Sequence, residues 1–81
     1  MNKIERMQEM NNTYYGRFMS YASKLRKDSK KKEAKKVHEN AQALNRYFYS
    51  AAHTNSDDMV LFYNNKMESI IVETCRFMQK G

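Results

Sequence analysis

Lys24-Leu25-Arg26-Lys27-Asp28-Ser29-Lys30-Lys31-Lys32-Glu33-Ala34-Lys35-Lys36 is the stretch on which the fold turns, because the apolar pattern entering it does not come out the other side. Upstream, apolar residues recur at Ile4, Met7, Tyr14, Phe18, Tyr21 and Leu25, with Asn11 as the one interruption. Steps of three and four make a seven-residue repeat on one helix face. Carried forward, that face would present Asp28, Lys32, Lys35, Glu39, Gln42 and Arg46, all polar. A second stripe nevertheless exists, at Ala34, Val37, Ala41, Leu44, Phe48 and Ala51, two residues out of phase with the first. Helical drift of about 20° per heptad is too slow to produce that jump. The pattern therefore predicts a turn near Lys27–Lys30, with Asp28 or Ser29 capping the second helix. One unbroken helix is the alternative.

A second break follows at His53-Thr54-Asn55-Ser56-Asp57-Asp58, which is polar and rich in capping residues. Ser56 is a suitable N-cap, and Asp57 and Asp58 place negative charge at the positive end of a third helix. That helix carries Val60, Tyr63, Met67, Ile70, Thr74 and Phe77, flanked by Met59, Phe62, Ile71 and Met78. The chain has no proline and only two glycines, Gly16 and Gly81. Gly16, in the first helix, costs about 1 kcal/mol against alanine, and is expected to permit a close helix approach or a bend.

The expected fold is all-α, a single domain over residues 1–81 forming a three-helix antiparallel up-down-up bundle. Helix one covers residues 3–27, a basic turn 27–30, helix two 30–53, a loop 54–57 and helix three 57–80. A domain of 81 residues buries only about 60% of the surface its unfolded chain exposes. Cys75 is the single cysteine, so an intrachain disulfide is excluded and self-association becomes the expected extra source of stability. Helix three is more apolar than a three-helix monomer needs, and Phe62, Ile70, Ile71, Phe77 and Met78 are the expected oligomer interface.

The net charge is +6, and segment 24–36 holds all of it. Lys24, Arg26, Lys27, Lys30, Lys31, Lys32, Lys35 and Lys36 face only Asp28 and Glu33 there, while the rest of the chain carries seven charges of each sign. Cations at the end of helix one suit its dipole, but Lys30, Lys31 and Lys32 oppose the dipole of helix two by a few tenths of a kcal/mol each. An anion bound there would relieve the conflict. These eight residues are the candidate anion-binding site, for nucleic acid, a nucleotide or an acidic protein. The bland reading is a solvated turn. Lysine is a point charge, whereas bidentate base reading favours arginine, so nucleic-acid binding would be directed at the backbone and sensitive to salt.

Six tyrosines and four phenylalanines are many for this length, but they do not interleave with the basic residues as in single-strand binders. Tyr47, Phe48, Tyr49, Phe62 and Tyr63 should gather near the second turn, as core or interface. Tyr14, Tyr15 and Tyr21 are candidates for contact with a flat ligand or a second subunit, with core packing as the plainer reading.

No catalytic residues are expected. The chain has no glycine-rich phosphate loop, and neither His38 nor His53 has a histidine or cysteine one turn on, so no metal and no cofactor are expected. Cys75 reads as a small buried apolar residue. Nothing assembles a general acid and base. No apolar run approaches the roughly 18 residues of a membrane span, and no signal peptide is visible. A lone thiol suits a reducing compartment, so the expected location is the cytoplasm.

Phe48-Tyr49-Ser50-Ala51-Ala52 resembles a helix segment of the small bacterial haemolysin-modulating proteins that partner nucleoid-associated factors. His53 stands where that family has an acidic residue, and the likeness spans five of 81 residues. In type alone, a small oligomeric helical protein with a basic tip is similar to phage inhibitors of host defence. The functional expectation is a non-catalytic, self-associating binding protein, of phage or bacterial regulatory kind, whose lysine-rich turn contacts an anionic partner. The alternative is an inhibitor or regulator that docks on a protein through helix three.

Overall fold

The computed structural model describes residues 2–80, with Met1 and Gly81 outside the described residues. These residues form three helices and no strand: α1, Lys3–Lys27, α2, Lys31–His53, and α3, Asp57–Lys80. The long dimension is 43 Å and the others are 18 and 16 Å. A single helix through residues 3–80 would extend roughly 117 Å at 1.5 Å per residue, so the unbroken rod is excluded. Three helices instead lie side by side in a bundle little longer than one of them.

Each helix starts and stops for a local reason. At the start of α1, the Asn2 side chain accepts a hydrogen bond from the Glu5 N–H at 2.8 Å, which satisfies one of the free donors of the first turn. Lys24, Arg26 and Lys27 occupy its last turn, where the dipole favours positive charge. The helix then closes in a Schellman motif. The Lys30 N–H bonds the Leu25 carbonyl at 2.8 Å and the Ser29 N–H bonds the Arg26 carbonyl at 3.0 Å, with Ser29 in the left-handed region at φ 66°. This geometry satisfies the last carbonyls of a helix and usually uses glycine.

The expectation that Asp28 or Ser29 caps α2 is therefore corrected. Asp28 is the C-cap of α1. The residue flanking α2 is Lys30, which has no side chain that could accept, and no capping bond is made there. Residues 28 and 29 are used to finish the first helix, which leaves none of the short polar side chains to begin the second.

The second connection follows capping chemistry. The Ser56 hydroxyl accepts from the Met59 N–H at 3.2 Å, and Asp57 and Asp58 sit in the first turn of α3. Before it, Thr54 Oγ1 accepts from the Ser56 N–H at 3.2 Å. His53 Nδ1 lies 2.7 Å from the Tyr49 carbonyl. A carbonyl only accepts, so Nδ1 carries the hydrogen and the ring caps the end of α2.

The core is built from Met7, Phe18, Ala22 and Leu25 of α1, Ala34, Val37, Ala41, Leu44 and Ala51 of α2, and Met67 and Ile71 of α3. Burying a side chain such as Phe18 or Leu44 is worth about 1.5–3 kcal/mol. The alanines of α2 keep its inward face narrow, so neighbours pack on both its flanks, and α1 and α2 share the most extensive contact. Three polar residues lie within this apolar interior. Asn11 donates to Asn45 Oδ1 at 2.9 Å, between α1 and α2. Asn40 donates to the fully buried Thr74 hydroxyl at 2.9 Å, between α2 and α3. Asn64 donates to Glu68 at 3.3 Å within α3. Asn11, which interrupts the apolar stripe, is thus buried and cross-linked rather than turned outward.

Gly16 is also a correction. A methyl group at its Cα would meet nothing within 4 Å, its φ is not positive, and α1 runs through it as helix. It serves no close approach.

Candidate anion-binding site

All eight basic side chains of segment 24–36 are exposed, while Leu25 and Ala34 between them are buried. Those two apolar contacts hold the turn against the core. The intervening residues must then point outward, so the position of the charge follows from the position of the core. Among the described residues one salt bridge forms, from Lys36 Nζ to Glu73 Oε1 at 3.4 Å, with both side chains more than half exposed. A pair that open is worth about 0–1 kcal/mol. The other seven cations of the segment have no carboxylate within ion-pair distance among the described residues.

The cations do not pave one face. Five of the eight line three separate depressions, and Lys27, Lys30 and Lys32 line none of the three. Arg26, Lys31 and Lys35 line one with His38, in a concavity of about 400 Å³ between the end of α1 and the start of α2. Lys36 lines a second, of about 760 Å³ between α2 and α3, where Arg76, Lys80 and Glu73 also lie and Val37 and Phe77 supply apolar wall. Lys24 lines a shallow third with Gly16, Arg17, Tyr21 and Met78. Arg76 and Lys80 thus share a depression with Lys36, and Arg17 shares one with Lys24, while Lys24, Lys36 and the Arg26 group line different depressions.

His38, set aside in the sequence for want of a second metal ligand, joins the three cations here. Its place beside three cations depends on the side of α2 that meets α1. Its spacing from Lys31 and Lys35, at i, i+4 and i+7, is the signal that was available.

The aromatic candidates do not form one platform. Tyr14 is half-buried, its ring centroid 5.7 Å from that of Phe18 and 5.8 Å from the Arg17 guanidinium carbon. Tyr14 and Tyr21 line different depressions, and Tyr15 packs partly buried against the core. At the other end of α2, Tyr47 and Tyr63 are 5.9 Å apart, Phe62 and Tyr63 5.5 Å, and Phe48 and Tyr49 5.5 Å.

The five side chains expected at an oligomer interface differ widely in exposure. Ile71 is 8% exposed and belongs to the core. Ile70, Phe77 and Met78 are partly buried against it. Only Phe62 of the five is open, at 46%, with Lys66 Nζ 5.4 Å from its ring centroid. The apolar side chains that do face outward beside it on α3 are Met59, Leu61 and Val72. Leu61 and Val72 are eleven residues apart, three turns of one helix face.

Cys75 is half-buried. Among the described residues, no three His, Cys, Asp or Glu side chains gather where a metal could bind, and no helix is long and apolar enough to cross a membrane. No protein-family model, curated protein or solved structure compared with the chain matches it.

Proposed function

We propose that this chain is a non-catalytic helical binding protein whose lysine-rich turn docks on the phosphates of a nucleic acid or nucleotide. The observation that carries the reading is that a net charge of +6 is confined to 13 residues, all eight of whose cations are exposed and only one of which is paired among the described residues. The chain is taken to be an antiparallel up-down-up bundle. In support, Lys36 pairs with Glu73, and Lys24 lines a depression together with Met78. Arg76 and Lys80 then enlarge the same positive pole. The lone cysteine favours a reducing, cytoplasmic setting. The type of protein, an oligomeric bacterial or phage regulator, is part of the same proposal.

Fluorescence anisotropy with a labelled single-stranded oligonucleotide tests it. Binding should be measurable near roughly 50 mM salt and weaken toward about 200 mM, the more steeply the more phosphates are neutralised, since affinity comes from counterion release. No binding at the lower salt, or binding indifferent to salt, would overturn it.

A second reading is self-association through α3, favoured by the outward Leu61, Phe62 and Val72, 46–48% exposed. Native mass spectrometry reports the subunit count. If the reading is right, Phe62→Asp with Val72→Asp shifts the species to monomer while leaving helicity intact. Ile71 is unsuited to that test, since a charge there would disrupt the core.

A further inference from the structure

We infer that the depression lined by Arg26, Lys31, Lys35 and His38 is a seat for a terminal phosphate group, the dianionic end of a phosphomonoester. The inference rests on the proposed anion-binding function and names its site and ligand class.

Two helices contribute. Arg26 comes from the last turn of α1, and Lys31, Lys35 and His38 form a stripe along the first two turns of α2. No carboxylate is among the lining residues, and the one ion pair among the described residues involves Lys36, on another flank. Like charges one helical turn apart repel, and here a guanidinium is added to two ammonium groups in the same concavity. The second basic flank differs, because Glu68 and Glu73 line it with Lys36, Arg76 and Lys80. Of the three depressions, the Arg26 one alone combines several cations from both sides of the turn with no internal counter-charge.

His38 adds an independent observation. Its Nδ1 is buried and has no hydrogen-bond partner. A ring held in that way carries its hydrogen most cheaply on Nε2, because an unpartnered acceptor is easier to bury than an unpartnered donor. That leaves the other ring nitrogen of His38 as a donor for a ligand beside the three basic side chains.

This donor set selects among anions. A guanidinium offers two parallel N–H groups to a pair of oxygens, and the two lysines and the imidazole offer single donors. A terminal phosphate has two negative charges near neutral pH and three free oxygens. A backbone phosphodiester has one charge and two free oxygens, and a carboxylate likewise. The volume of about 400 Å³ lies toward the small end of ligand sites, suited to a phosphate with its sugar and too small for a duplex.

The test compares four probes by isothermal titration: adenosine 5′-monophosphate, adenosine, and one short single-stranded oligonucleotide with and without a 5′-phosphate. The 5′-phosphorylated strand should bind at least tenfold more tightly than the unphosphorylated one. Arg26→Gln, Lys31→Gln and Lys35→Gln together should erase that difference. Lys24→Gln, Lys27→Gln and Lys32→Gln, which remove the same charge outside this depression, should keep it. All six side chains are exposed, and circular dichroism checks that both variants remain helical. The nucleotide binding over adenosine by a similar factor makes the free nucleotide the source of the phosphate; preference confined to the strand makes the 5′ end of a nucleic acid the source, and either supports the seat. Equal binding of the two strands by the unaltered protein, or equal loss in both variants, overturns the seat while leaving the broader anion-binding reading intact. Failure of every probe to bind removes both.

Discussion

Ser29 is the most constrained residue of the chain, because it alone among the non-glycine described residues holds a positive φ. A left-handed conformation costs an L-residue roughly 1–2 kcal/mol, a cost glycine escapes. Ser29→Gly should therefore stabilise the protein by up to about 1 kcal/mol, which in a domain of this size raises Tm by about 4–8 °C. Gly16 is the reverse case. It sits in mid-helix with open space where a methyl would go, so Gly16→Ala should add about 0.5–1 kcal/mol. Thermal unfolding followed at 222 nm measures both, and a lowered midpoint for either variant contradicts the backbone argument. These two positions also mark what residue type conveys. Ser56 was legible as a cap because the acidic pair after it fits only a helix start. Ser29 was misread because serine is far commoner as an N-cap than in the left-handed C′ position, and nothing in the letters separates the two. His38 could not be read from type at all, since its surroundings are supplied by the other helix.

Between elements, the apolar stripes account for the choice of faces and the polar pairs for their registration. The phase jump across residues 24–36 was visible because a helix cannot rotate its apolar face by two residues without breaking, and the turn at Asp28–Ser29 resolves it. Asn11 was visible only as a gap in the stripe. Its meaning depends on Asn45, 34 residues away, which donates nothing to any periodicity. The Asn11 amide is 8% exposed and its Oδ1 has no partner, so its bond to Asn45 is the one that compensates its burial. Asn45→Ala should then cost about 1–3 kcal/mol, because a buried amide is left unsatisfied. Replacing Asn11 and Asn45 together by leucine should be close to neutral, since both polar groups leave at once. Urea unfolding of Asn45→Ala, and of Asn11→Leu, Asn45→Leu and the double leucine variant, checks this. A double variant as unstable as the sum of the singles would mean the pair contributes nothing beyond its separate side chains. The outward face of α3 was only partly legible for a related reason. An apolar surplus can be counted from sequence, but whether Ile71 or Val72 takes the inward position turns on a rotation of one residue, and packing into the core takes Ile71.

At the scale of the molecule, the bundle is an elongated body 43 Å long with its net charge on one turn. That concentration was fully legible, since it is a matter of counting. The division of the cations among three flanks was not, because successive residues of a helix point 100° apart and a run of lysines must fan out. The distinction has a measurable consequence. The slope of log affinity against log salt for a single strand is about −0.7 per phosphate neutralised. If a 5′-phosphorylated strand is held chiefly through its one terminal phosphate by Arg26, Lys31 and Lys35, the slope should stay at about −1. If all eight cations engage the strand together, it should approach about −6. The seat described above predicts the shallow value, and predicts that the Lys24, Lys27 and Lys32 substitutions leave it almost unchanged, whereas loss of Arg26, Lys31 and Lys35 brings it toward zero. A steep slope in the unaltered protein, reduced in equal steps by either set of substitutions, would instead mean that the strand wraps the whole pole and that no one flank is privileged. Anisotropy titrations between roughly 50 and 200 mM salt, where such slopes are ordinarily linear, distinguish the two arrangements without knowledge of the natural ligand.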